Sequence, residues 1–187
     1  ERGYYCPMVQ SSSFMIRAAL GIPGSTLLSP TLNLKSDPEM VALDIYRQLG
    51  GKLGRGKRQV KAAFLYALER QKQFEKELHR RGTELIHRLL PEEPLVIVTG
   101  RPYNLHDERV NLRLGQNLAR IGVSALPMDF MDVSDVDLAD FSSMFWGLGA
   151  QILRTARKIR NAPTYFGLHL TNFSCGADSF IEHFYKH

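Results

Sequence analysis

Cysteine is scarce in this chain, with two in 187 residues. Two cysteines exclude a disulfide-rich scaffold. They also exclude a complete all-cysteine zinc or iron–sulfur site built from this chain alone. No apolar run reaches the roughly 18 residues that a membrane-spanning helix needs, so no membrane partner is expected. A basic-then-apolar leader is missing as well, which removes any sign of a secretory signal and favours a cytoplasmic setting. An initiating methionine is also absent. The chain opens Glu1-Arg2-Gly3-Tyr4-Tyr5-Cys6 and reads as a piece cut from a longer protein.

What is present describes a soluble, globular chain, with 44% hydrophobic and 23% charged residues. The length suits one ordinary domain or two small lobes. A chain of this size buries about 70% of the surface its unfolded form exposes, enough for a core. The net charge of +5 is unevenly spread. Between Lys52 and Arg81, ten Lys and Arg face three Glu, a local balance of +7 that leaves −2 for the remainder. A uniformly basic nucleic-acid binder would not be divided in this way. Aromatic residues do not alternate with the cations as a base-stacking platform requires, so no nucleic-acid partner is expected. Val60, Phe64, Leu68, Phe74, Leu78 and Leu85 recur at helical spacing, which predicts a long amphipathic helix. Its basic side is either a solvated face or a docking face for an acidic partner or a nucleotide-like group.

Residues 1–90 read as mainly helical and residues 91–187 as α/β. Helices are expected over 7–20, from Pro38 to about Gly50, and over about 57–90 with an interruption at Gly82. Pro7 and Pro38 suit first turns, and Ser36 or Asp37 suits a cap. Leu95-Val96-Ile97-Val98-Thr99 is a short β-branched run typical of a strand buried on both faces. A helix over about 107–121, a strand over 123–127, a helix over 141–160, a strand over 164–171 and a helix over 177–185 follow. This alternation predicts a parallel sheet with flanking helices, Rossmann-like or flavodoxin-like.

Several stretches suggest chemistry. Gly51-Lys52-Leu53-Gly54-Arg55-Gly56-Lys57 imitates a phosphate loop, but Arg58 stands where Ser or Thr is needed and no strand precedes it, so a helix–helix linker is expected. Gly100-Arg101-Pro102-Tyr103-Asn104 follows the first strand, where open α/β sheets bind ligands. Arg101 there is either a fork of donors for a phosphate or carboxylate or a surface residue of a tight turn. Cys6 and Cys175 both precede expected helix N-termini, whose partial positive charge favours thiolates. They are either ligands of an anionic metal cluster or two separate buried thiols. Gly176, next to Cys175, would let the backbone approach an inorganic sulfide. The six histidines show no dense metal spacing. His79 and His87 are expected in solvent, and His169 is expected to pack within a strand.

At the cysteines the chain resembles a known family. Leu170-Thr171-Asn172-Phe173-Ser174-Cys175-Gly176-Ala177-Asp178-Ser179-Phe180-Ile181 is similar to the cluster-binding motif of 2-hydroxyacyl-CoA dehydratase-like proteins. The likeness is to the large branch associated with the CoA-substrate-specific enzyme activase, the activator of 2-hydroxyglutaryl-CoA dehydratase. Tyr5-Cys6-Pro7-Met8-Val9-Gln10-Ser11 resembles a second cysteine motif of that branch. Gly100-Arg101-Pro102-Tyr103 with Asn111, and Phe145-Trp146-Gly147 with Gln151-Ile152-Leu153, resemble two further stretches, in order.

The resemblance implies a [4Fe-4S] cluster held by three thiolates, with Cys6 and Cys175 as ligands and Gly100, Arg101, Tyr103, Asn104, Gly176 and Asp178 lining the cluster or substrate site. It also implies an ATP-dependent activase domain or subunit as electron donor and radical or reductive chemistry on a CoA thioester or other small molecule. An oligomer is compatible with it. The sequence departs in two places. The family's third cysteine lies upstream of Cys6, and its Gly-Pro-Asp is Gly176-Ala177-Asp178 here. The expectation is therefore the C-terminal part of a cluster-binding domain with an incomplete ligand set. The competing expectations are a non-catalytic α/β binding or interaction domain, in which Arg101 faces solvent, and a nucleotide-binding domain with a phosphate at Gly100–Asn104.

Overall fold

A computed structural model describes residues 5–172 and 175–186. The chain divides into two compact units, Tyr5–Phe74 and Glu75–His187.

In the first unit, α1 (Pro7–Leu20) starts with proline in its first turn, where a missing N–H costs nothing. Gly21 stops it in the left-handed conformation at φ +60°, its N–H returning to the Arg17 carbonyl. α2 (Pro38–Ile45) is capped as expected, the Asp37 carboxylate accepting from the Glu39 N–H at 2.8 Å. A π-helical segment, Tyr46–Gly50, continues it. The preceding loop is pinned by a reciprocal pair in which Thr31 N–H donates to Gln48 Oε1 and Gln48 Nε2 donates to the Thr31 carbonyl, both at 2.8 Å. Residues 51–54 form a turn. α3 (Lys57–Arg88) then begins in the first unit and ends in the second. The glycine-rich stretch is thus a link between helical segments, with no strand before it.

α3 runs through Gly82 without a break, contrary to the sequence expectation. The glycine is required by packing instead. It is buried, and a Cβ there would meet the Phe130 carbonyl oxygen at 2.1 Å. His79, expected in solvent, is half-buried.

The second unit is α/β, as the alternation of elements predicts. Its sheet comprises β1 (Leu95–Gly100), β2 (Ser124–Pro127) and β3 (Tyr165–Leu170), all parallel in the order β2-β1-β3. Leu95 pairs with Ser124 on one side and Tyr165 on the other. With β3 beside β1, the order matches the opening of the flavodoxin-like arrangement and not the Rossmann one, where β3 would lie beside β2. Central β1 is buried on both faces, as its unbroken apolar run requires. Leu95, Ile97, Met128, Ile152 and Ile181 are fully enclosed.

The connecting helices are α4 (Pro102–His106), α5 (Leu114–Arg120), α6 (Gly147–Arg160) and α7 (Gly176–Lys186). Two helices are shorter than expected. Residues 108–113 form turns: the Asp107 carboxylate caps one turn, accepting from the Arg109 and Val110 N–H groups at 2.8 and 3.1 Å while its carbonyl accepts from Asn111 N–H, and no continuous helix follows it. Leu112 and Arg113 then take positive φ before α5 begins. Just before α6, residues 139–141 form a 3-10 turn whose Ala139 N–H is taken by Asp137, and α6 begins only at Gly147. Among the described residues, no helix is long and apolar enough to cross a membrane.

Candidate functional site

The chain leaves β1 for one side of the sheet, reaches β2, and returns on the other side as β3. The crevice outside the carboxyl ends of β1 and β3 is therefore the point where strand order reverses, the usual ligand position in open α/β sheets. Gly100 ends β1 there, with Arg101, Tyr103 and Asn104 in the turn and short helix that follow it, while Cys175, Gly176 and Asp178 stand at the start of α7, after β3.

Gly100 closes β1 at φ +155°, and a Cβ on it would stand 2.5 Å from the Leu170 carbonyl oxygen. Only glycine lets the two strand ends run this close. The turn folds back at once, the Arg101 carbonyl accepting from Asn104 and Leu105 N–H. Asn104 is buried, and its Nδ2 donates to the Leu170 carbonyl at 3.3 Å, a second link between the strand ends. Asn111 steadies the turn's far side, its Nδ2 donating to the Leu105 carbonyl at 2.9 Å.

The carboxylate that meets Arg101 is the chain's own. Arg101 Nε donates to Asp178 Oδ1 at 2.8 Å, and Nη2 lies 2.6 Å from the same oxygen. Nη2 is buried and poorly aligned for a hydrogen bond, so the pair is an ion pair carried mainly by Nε. Thr171 Oγ1 donates to Asp178 Oδ2 at 3.1 Å. The Asp178 side chain is fully enclosed and that of Arg101 is 11% exposed. The surface-arginine alternative, in which Arg101 faces solvent, is thereby overturned. A charge pair this buried persists because each member neutralises the other. Asp178 also lies in the first turn of α7, where the helix dipole favours an anion.

Cys175 immediately precedes α7. Its carbonyl accepts from Ser179 N–H at 2.9 Å, and its own N–H donates to the Asn172 carbonyl. The thiol is free and half-buried. Phe173 and Ser174 of the same motif lie outside the described residues. Among the described residues, a Cβ on Gly176 would meet nothing within 4 Å. Tyr103 is 48% exposed at the crevice, and its hydroxyl is hydrogen-bonded to the Asn172 side chain. Burial raises its pKa, and negative charge on Cys175 and Asp178 adds to the effect. Cys6 is in the other unit, free and half-buried, directly before α1, with its carbonyl accepting from Val9 and Gln10 N–H.

A second polar group, which sequence reasoning missed, stands on the neighbouring positions of the same strands. Thr99 and His169 are paired in register across β1 and β3. Thr99 Oγ1 is 3.0 Å from His169 Nδ1 and donates to the Tyr185 hydroxyl at 3.0 Å, while the His169 and Tyr185 rings lie 4.9 Å apart. Burial lowers the His169 pKa, outweighing the charges of Asp178 and Glu182. His169 Nε2 is enclosed, with no hydrogen-bond partner among the described residues. The one local signal was Thr99 itself, a hydroxyl ending an apolar run. Its partners are 70 and 86 residues away.

Among the described residues, no three His, Cys, Asp or Glu side chains are grouped to hold a metal ion. The crevice offers one thiol, one phenol and an internally neutralised ion pair. Nothing among the curated proteins matches the chain, and nothing among the solved structures does. A family profile matches residues 1–131, a stretch that holds Cys6, α3 and the Gly100–Asn104 turn and stops before β3 and Cys175. That profile is described as CoA enzyme activase uncharacterised domain (DUF2229), and the chain belongs to this family.

Proposed function

We propose that this chain is part of an iron–sulfur redox domain of a CoA-related activase system, resembling the 2-hydroxyacyl-CoA dehydratases. In this reading it takes electrons from an ATP-dependent activase domain or subunit for reductive or radical chemistry on a CoA thioester. The observation that carries the reading is Cys175. It is a free, half-buried thiol at the start of α7, beside the β1/β3 crevice, next to a glycine whose Cβ position meets nothing within 4 Å among the described residues.

A [4Fe-4S] cluster would draw only part of its donor set from this chain. Cys175 would be one ligand and Cys6 a second, with further thiolates supplied from outside this chain. A bound cluster would supply one-electron transfer. The chain's own residues have distinct tasks. Arg101, Asp178 and Thr171 lock the first turn of α7 to the end of β1, which fixes the backbone around Cys175. Gly100 and Asn104 hold the two strand ends together. Tyr103, with its raised pKa, keeps its proton through neutral pH and offers a donor at the crevice mouth.

Iron and acid-labile sulfide measured in the longer parent chain, reconstituted without oxygen, test this. About four irons per parent chain are expected, with most of the iron lost in Cys175→Ser and in Cys6→Ser. Iron unchanged by both substitutions, or absent from the parent, overturns the redox reading.

A further inference from the structure

The first unit carries a surface that the redox reading does not use. A groove of about 460 Å³ lies between the α2–π-helical segment and the start of α3. One wall is Ile45, Leu49 and Leu53, spaced four residues apart, and the other includes Val60 and Phe64, again four apart. Leu53 is 51% exposed. Two such rows form the furrow into which the ridge of a third helix packs.

The unit that holds the groove is basic on balance. Residues 5–74 hold ten Lys and Arg against four Asp and Glu, a balance of +6. Arg55 lines the groove itself. Lys52, Arg55, Lys57 and Arg58 are exposed, and among the described residues none of them is in an ion pair. By contrast, Lys61 on the same helix is paired with Glu39. Lys57 and Arg58 open a 32-residue helix whose first turn has no acidic residue. Cations at a helix N-terminus oppose the dipole, so their placement is unfavourable within the chain alone. Anions supplied from outside would relieve it.

We propose that this groove docks an acidic amphipathic helix from a partner protein. The partner's apolar stripe would lie between the Ile45–Leu49–Leu53 and Val60–Phe64 rows, and its flanking carboxylates would face Arg55, Lys57 and Arg58. The contact is helix-in-groove recognition, read by anchors at i, i+4 and i+7. The four-residue spacing of Ile45, Leu49 and Leu53 presents successive apolar contacts to the incoming helix.

The test uses the whole 187-residue chain and two synthetic helical peptides with the same leucine stripe, one flanked by Glu and the other by Lys. Fluorescence anisotropy should show the Glu peptide binding at least tenfold tighter, with the preference shrinking as salt rises. Leu53→Gln should weaken the Glu peptide about tenfold. The triple reversal Arg55→Glu, Lys57→Glu, Arg58→Glu should invert the preference. Far-UV circular dichroism checks that these surface variants keep their helices. Equal binding of both peptides overturns the proposal, as does Glu-peptide binding insensitive to Leu53→Gln. Binding to phosphatidylserine vesicles without binding of the peptide also overturns it, since the surface would then be a membrane face.

Discussion

At the residue scale, one backbone position and one buried pair govern the β1/β3 crevice. Gly100 combines a positive φ with a strand neighbour that leaves no room for a methyl group. Gly100→Ala should therefore destabilise the α/β unit by about 2 kcal/mol or more, from strain and overpacking together. A lowered urea midpoint, followed through the fluorescence of Trp146, the single tryptophan, would show it. Arg101 and Asp178 form the second control point. Removing either partner leaves a buried charge, so Arg101→Met and Asp178→Leu should each cost about 3 kcal/mol. The double variant should cost clearly less than their sum. An additive result would mean that the pair contributes nothing beyond its separate packing. Neither partner's role was legible alone. Sequence reasoning placed Arg101 at a strand end and Asp178 in a helix start, both correctly, yet their meeting spans 77 residues.

At the element scale, local chemistry was read well where one residue type dominates. Asp37 caps α2 and Pro38 opens it because their backbone preferences act within one turn. The expected helix over 107–121 is interrupted because Leu112 and Arg113 take positive φ, which ends the turn that Asp107 caps before α5 begins. Gly82 shows the opposite error. Glycine weakens a helix interior by about 1 kcal/mol, which suggested a break, but α3 continues because the Phe130 carbonyl occupies the space a side chain would fill. Gly82→Ala, favourable in an isolated helix, should here destabilise the protein by about 2–3 kcal/mol. Thermal unfolding measured beside a surface control, Gln73→Ala, separates the two: a gain in stability at Gly82 would refute the packing argument.

At the scale of the whole molecule, charge and protonation are divided between the two units. The first carries +6, and residues 75–187 carry thirteen Lys and Arg against fourteen Asp and Glu, or −1. Acid sensitivity is expected in the second unit. Burial holds the His169 pKa below the ordinary histidine value of about 6.5, although Asp178 and Glu182 pull it upward and Arg101 pushes it down. A depressed folded pKa means that the unfolded chain binds the proton more readily. The resulting stability is complete above about pH 6.5 and is lost as pH falls through the folded value. Urea midpoints followed through Trp146 should therefore drop between pH 7 and pH 5, and His169→Gln should flatten that drop. An identical slope in the variant would assign the sensitivity elsewhere.

By itself, the sequence determined the order of most of the helices and strands, that the second half is parallel α/β, and that Cys6 and Cys175 stand directly before helices. These features depend on residues within a turn or two of one another, so spacing and capping chemistry suffice. The tertiary structure alone decided that β3 lies beside β1, which sets the crevice at the Gly100 and Leu170 ends. It also decided that Arg101 is neutralised by Asp178 and that Thr99 gathers His169 and Tyr185. Those contacts depend on the order in which strands enter the sheet, and that order follows from how the helices bury their apolar faces against it, a choice no local pattern encodes.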